Sequence, residues 1–170
     1  MNINFRTCLK HLGHDVRGVI HVGTNLGEQG RIYSDNRVSH VLWLDRNRNN
    51  LTRLYEQTKL FALKQQYVTE VFLGKDVHKV SRSFDSYLRE NQATIPVENY
   101  DMLVIDVEDG TEFQVLAGFE GQLRRTFIKT IHTNVRGVKD MDEYLTKFGF
   151  KQCVNSISDV GWGSAIYSKE

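Results

Sequence analysis

Five short apolar runs, rich in β-branched residues, punctuate the chain: "VRGVIHV" (16–22), "HVLWLD" (40–45), "YVTEVF" (67–72), "YDMLVIDV" (100–107) and "FIKTIHTNV" (127–135). Each is bounded by turn or cap residues and reads as a buried strand. Helix-period segments fill the intervals. The spacing predicts helices over 26–36, over 48–60 with Asn47 as cap and Leu51, Leu54 and Tyr55 on one face, over 84–91 after a Ser83 cap, and over 111–124. Strands alternating with helices give a parallel sheet covered on both faces, because each parallel connection needs a crossover. The end of the chain departs from this rhythm. After "MDEYLTKFG", a helix stopped by Gly149, come a strand "FKQCVNS", a turn "SDVGWG" and a last strand "SAIYSK". The final pair is too closely spaced for a helical crossover and is expected to form an antiparallel hairpin.

A length of 170 residues, 40% hydrophobic and 25% charged, fits one domain over 1–170, with a short helical extension over 1–14. No repeat, low-complexity block or linker interrupts it, and Pro96 is its single proline. Twenty-two Lys and Arg against 21 Asp and Glu leave a net charge of +1, so no global basic field draws nucleic acid or an anionic membrane. No nucleic-acid or membrane partner is expected, with a local basic patch left open. Cys8 and Cys153 have neither the number nor the spacing of a disulfide framework or a zinc site and read as reduced thiols. With no signal-peptide core and no apolar run of spanning length, the chain is expected in the cytoplasm.

The first strand runs into "VIHVGTNLGEQG" (19–30), a glycine turn opening a helix. Doubly wound sheets bind ligands at the carboxyl ends of their strands, which places residues 21 to 28 in the crevice. No G-x-x-x-x-G-K-[ST] occurs, so this is not a P-loop. In a dinucleotide fingerprint the second glycine follows two residues after the first, letting backbone approach the pyrophosphate. Here that position is Asn25, and the glycines stand at Gly23, Gly27 and Gly30. A ligand without phosphate tolerates the side chain. S-adenosylmethionine is such a ligand: Asn25 and backbone can meet its amino-acid end, and Asp45, at the tip of the second strand, can accept both ribose hydroxyls. A plain tight turn and a surface aspartate would read the same way.

"YDMLVIDVEDGTEFQVL" (100–116) sharpens the reading. A fully apolar strand ends in Asp106, Glu108 and Asp109, and Gly110 turns the chain into a helix carrying Glu112. Acids there can lower the potential around a sulfonium, accept a proton from an attacking hydroxyl, or bind a divalent cation. Asp109 and Glu112 have a simpler reading, as a helix cap and a first-turn acid. Asp106 and Glu108 are the stronger candidates. His132, near the end of the fifth strand, is either a proton acceptor or a strand histidine bonded to structure. Phe72, Tyr87 and Trp162 read as core or as pocket lining.

Together these stretches resemble the FkbM-type methyltransferases, a family of S-adenosylmethionine-dependent O-methyltransferases. The first turn is similar to a branch that reads "IHIGAHxGEE" where others read "IDVGANxG", which accommodates His21. "VLWLDRN" resembles "VxxFEPN", "SFDSYL" resembles "TLDDLL", and "YDMLVIDVEDGTEFQVLAGFEGQL" resembles "YDLLKIDVEGAELEVLKGAxxxL". "MDEYLTKFGF" and "GWGSAIYSK" are similar to "IDEFLxxxGF" and "GWGDALYIK". The match in order and rough spacing runs from about residue 16 to 168. It implies a Rossmann-like doubly wound α/β fold, the seven-stranded sheet of class I methyltransferases with its C-terminal hairpin. It also implies a cofactor turn at His21, Gly23, Thr24, Asn25, Gly27 and Glu28, a ribose site at Asp45 and Arg46, and Asp106 with Glu108 beside the methyl group. The implied substrate is a hydroxyl of a sugar, glycan or similar metabolite, in a homo-oligomer or a chain fused to glycosyltransferase domains.

The departures bear on this. Asn134 and Ser164 stand where the branch has a glutamate and an aspartate, Gly74 replaces a common aspartate, and the segment before "SFDSYL" is short. A shortened loop leaves the pocket open to a polymer end or to a partner chain. Two rival readings follow: a non-catalytic cofactor- or partner-binding domain, favoured by Asn134 and Ser164, and a nicotinamide-dependent oxidoreductase, which predicts six parallel strands.

Overall fold

The structure is a computed structural model that describes residues 5–12, 14–24, 28–69, 82–107, 110–125, 127–136, 138–159 and 161–170. One sheet of seven strands organises it: β1 Gly18–Val22, β2 His40–Asp45, β3 Lys64–Thr69, β4 Met102–Ile105, β5 Thr130–Arg136, β6 Lys151–Ile157 and β7 Trp162–Ser168. Their order across the sheet is β3-β2-β1-β4-β5-β7-β6. The first five strands pair in parallel, and β7 runs antiparallel to both β5 and β6. The expected terminal hairpin is present, and among the described residues five strands run parallel where the oxidoreductase reading predicts six.

Alternation along the strands sorts the side chains into two cores. Val19, Val41, Trp43, Met102, Val104 and Ile166 face α1 (Phe5–His11), α2 (Glu28–Asp35) and α3 (Arg48–Thr58). Ile20, Leu42, Leu103, Ile131 and Tyr167 face the other way, against α4 (Phe84–Asn91), α5 (Glu112–Ala117), α6 (Glu120–Arg124) and α7 (Lys139–Thr146). β1 and β4 are buried along their whole length, which is why they read as continuous apolar runs. The N-terminal helix is part of the first layer: Phe5 and Cys8 are buried in it, and the Phe5 ring meets Tyr33 edge-on at 4.9 Å.

Local chemistry sets several boundaries as expected. Asn47 accepts the Asn49 N–H at 2.9 Å, and Ser83 accepts the Ser86 N–H at 3.2 Å. Three expectations need correction. The third strand begins at Lys64, three residues before the apolar run, because pairing with β2 fixes it and this edge strand needs little burial. Tyr55 is 49% exposed, and Thr58 takes the buried place beside Leu51 and Leu54. The helix over 111–124 is two helices, α5 and α6, parted at Gly118 and Phe119. Tyr87 is partly buried against the core, as expected; Phe72 and Gly74 lie outside the described residues.

Candidate functional site

The carboxyl ends of β1, β2 and β4 are laced into one crevice. Gly23 leaves β1 with φ +83, and its N–H donates to the Leu44 carbonyl at 2.9 Å. A Cβ at this position would sit 2.1 Å from the Asp106 carbonyl oxygen, so only glycine permits this turn beside β4. The Asp106 N–H donates in return to the Val22 carbonyl at 2.8 Å.

Asp45 closes the other side. Its Oδ2 accepts the Thr24 N–H at 3.0 Å, the Thr24 hydroxyl at 2.7 Å and the Asn50 amide at 3.2 Å, while Oδ1 accepts the Asn47 N–H at 2.7 Å. Burial by itself raises the Asp45 pKa, but the bonds from Thr24, Asn47 and Asn50 outweigh it and hold the carboxyl below its ordinary value. The carboxylate is thus ionised, and it fixes the glycine turn before any ligand arrives.

A second group gathers on the α1–α2 side of the sheet, where strand register aligns His21, Val104 and His132. Asp106 follows β4, and the Asn134 amide donates to its Oδ1 at 2.8 Å. These residues surround a cavity of about 70 Å³ that Phe5, Gln29 and Tyr33 close from the helix layer. His21 is buried, its Nδ1 2.7 Å from the Tyr33 hydroxyl. Burial lowers the pKa of both histidines to about 4. For His21 the Asp106 carboxylate opposes this, His132 adds to it, and the Gly23 backbone and Asp45 oppose it weakly; for His132 Asp106 again opposes it. At neutral pH both rings are uncharged. Although the Gly23 backbone lies near enough to His21 to favour its charged form, no group among the described residues makes a hydrogen bond of acceptable geometry to its Nε2.

The predicted residues therefore fall into two neighbouring groups. Gly23, Thr24 and Asp45 form the laced turn; Asp106 and His132 meet at the cavity. His21 contributes backbone to the turn but lends its ring to the cavity. Arg46 lies exposed just beyond β2. Asn25, Gly27, Glu108 and Asp109 lie outside the described residues, as does the side chain of Glu28. Glu112 sits buried in the first turn of α5. Tyr33, Asn50 and Gln29 are additions that no local motif announces, since each reaches the site only through helix packing. On β5, Arg136 continues the line from His132 and Asn134 to the rim, where its guanidinium lies 5.2 Å from the ring of Trp162, 39% exposed. Ser164, opposite Asn134 on β7, is fully buried. Among the described residues no three His, Cys, Asp or Glu side chains are grouped to hold a metal ion, and no helix is long and apolar enough to cross a membrane.

No protein-family model matches the chain, and no curated protein matches it in sequence. Solved structures do match in fold. TrmK of M. capricolum, in complex with S-adenosylhomocysteine, is similar over 100% of this chain and 70% of its own, with TM-score 0.64 and 13% identity. The ribosomal protein L11 methylase of Lactobacillus delbrueckii subsp. bulgaricus gives TM-score 0.61 at 12% identity over 95% of this chain and 74% of its own. The N-methyltransferase NodS of Bradyrhizobium japonicum gives 0.57 at 8% identity over 97% and 94%. The fold is that of the class I methyltransferases.

Proposed function

We propose that the protein is a cytoplasmic S-adenosylmethionine-dependent O-methyltransferase of the FkbM type, methylating a hydroxyl of a sugar, glycan or similar small metabolite. The observation that carries the cofactor reading is the laced crevice: an ionised, buried aspartate at the tip of β2, tied through Thr24 to a glycine turn at the tip of β1. The donor set fits the group. Among the described residues Oδ1 of Asp45 accepts a single bond, from Asn47, and so retains capacity for a ribose hydroxyl; the longest of the Oδ2 bonds, from Asn50, is the one a second hydroxyl displaces. The hydroxyl acceptor rests on the FkbM resemblance and on the polar groups of the cavity, the uncharged His21 and His132 rings with Asp106.

The bound cofactor supplies an electrophilic methyl group on a sulfonium. The protein's task is to hold the acceptor oxygen in line with it, since positioning supplies much of the rate. Asp106, oriented by the Asn134 amide, sets a negative potential at the end of β4. With the cofactor bound, the acceptor proton, released as the methyl moves from sulfur to oxygen and leaves a neutral thioether, would pass to Asp106, Glu108 or the neutral His132. A pKa near 4 makes His132 a weak base, but a protonated ether is a far stronger acid than imidazolium, so the transfer runs downhill. Calorimetry with S-adenosylhomocysteine, followed by radiolabelled methyl transfer to a panel of glycosides, tests the reading. Binding together with label in an alkali-stable ether is expected; absence of binding overturns it.

A further inference from the structure

The cavity that Asp106 and His132 line also holds the ring of His21, which methyl transfer leaves unused. Its volume, about 70 Å³, is roughly half that of an apolar cavity that takes a benzene ring, but His21, Asp106, His132 and Asn134 share its wall with Phe5, Val104 and Ile105. His21 is 1% exposed and its Nε2 has no hydrogen-bond partner among the described residues; Nε2 of His132 is likewise buried and unpartnered. Buried nitrogens of this kind call for an occupant with an oxygen atom.

Tyr33 decides what His21 offers. Burial keeps the phenol protonated, and its oxygen lies 2.7 Å from Nδ1. When the phenol donates to Nδ1, the one ring proton sits on Nε2. The opposite tautomer would strand both the phenol proton and the Nε2 lone pair. His21 therefore carries its N–H on Nε2, where the nearby Gly23 backbone makes no hydrogen bond of acceptable geometry and a guest in the cavity can compete for it. A carboxylate occupant would face Asp106, and an ammonium would face that N–H. An alcohol does neither: it accepts from His21 and, being donor and acceptor at once, pairs with either tautomer of His132.

We propose that the cavity is a specificity pocket for the acceptor, seating a hydroxymethyl arm whose oxygen lies between Nε2 of His21 and Nε2 of His132. The arm's parent ring then lies toward the end of β5, where the partly exposed Trp162 pairs with Arg136 and carries its guanidinium over the ring. This inference rests on the methyl-transfer reading and names the acceptor class, a hexopyranoside or similar polyol with a free primary hydroxyl.

The test uses the full chain saturated with S-adenosylhomocysteine, labelled with ¹⁵N in its histidine rings and titrated with the methyl glycosides of glucose, galactose and mannose. Saturable shifts of the His21 and His132 Nε2 signals are expected with at least one hexoside. Methyl xyloside, which lacks the arm, and the matching methyl uronide, which ends it in a carboxylate, should bind at least tenfold more weakly. Val104→Leu grows from β4 into the cavity; it should abolish the shifts while S-adenosylhomocysteine affinity stays within twofold. Should that variant fail to fold, Tyr33→Phe, which frees the His21 tautomer, should weaken hexoside binding about tenfold and carries the same test. Three results overturn the inference: no hexoside shifts either ring, the xyloside binds as well as the hexosides, or filling the cavity weakens S-adenosylhomocysteine. No S-adenosylhomocysteine binding at all removes the methyl-transfer reading and this inference with it, whereas cofactor binding without hexoside shifts removes this inference alone.

Discussion

Gly23 and Asp45 show how much one position can carry. Gly23 combines a left-handed backbone with a strand approach that leaves 2.1 Å for any Cβ. Gly23→Ala should therefore cost at least about 2 kcal/mol in urea unfolding, the left-handed penalty plus the clash with the Asp106 carbonyl. Asp45→Ala removes a carboxylate that accepts four hydrogen bonds and leaves the Thr24 N–H unpartnered. It should lower S-adenosylhomocysteine affinity at least tenfold by calorimetry and cost about 1–3 kcal/mol of stability. The buried histidines set a pH response. Their pKa values of about 4 lie below the ordinary 6.5, so between those values the unfolded chain takes up protons that the folded chain refuses. Stability is full above pH 6.5 and should fall by about 1.4 kcal/mol per pH unit for each ring as pH drops toward 4. Urea unfolding at pH 7 and pH 5 checks this, and replacing both rings by glutamine should flatten the slope.

Among the elements, ties distant in sequence decide where strands and helices end. Asp101, 3% exposed, accepts the backbone N–H groups of Arg17 and Gly18 as well as Nε of Arg17, joining the starts of β1 and β4 across more than eighty residues. Asp101→Ala should destabilise by about 2 kcal/mol in denaturant unfolding, because two buried or half-buried donors lose their acceptor. The break between α5 and α6 has a similar origin. The Asp85 N–H donates to the Gly118 carbonyl, and its carboxylate accepts the Gly121 N–H and the Gln122 amide, so α4 draws the chain open where glycine already weakens a helix. Helical periodicity over 111–124 carries no trace of Asp85, which is why it reads as one helix. β3 is displaced for a related reason. Its opening "KQQ" is polar, and a search for apolar runs passes over an edge strand whose place is set by hydrogen bonds to β2.

For the whole molecule, binding and folding are linked. A ligand that binds only the folded chain stabilises it by about 2.7 kcal/mol at a hundredfold excess over its Kd. S-adenosylhomocysteine should raise the thermal midpoint accordingly, whereas NAD should leave it unchanged; a shift with NAD alone would reinstate the oxidoreductase reading.

The alternation of strands and helices, the two covered faces and the terminal hairpin were legible in the amino-acid order, because burial on both faces writes continuous apolar runs and a short connection permits only antiparallel pairing; the order of the strands across the sheet was not. The glycine turn and Asp45 were legible too, since backbone conformation and strand-end position are local properties. What only the tertiary structure decided is the company these residues keep. Asn134, which reads as a lost acid, donates to Asp106, and His21, which reads as part of the turn, puts its ring under Tyr33 beside a cavity shared with His132. Those contacts join residues on separate strands and a helix. Sheet register and helix packing bring them within hydrogen-bond reach, and neither distance is written in the order of the residues.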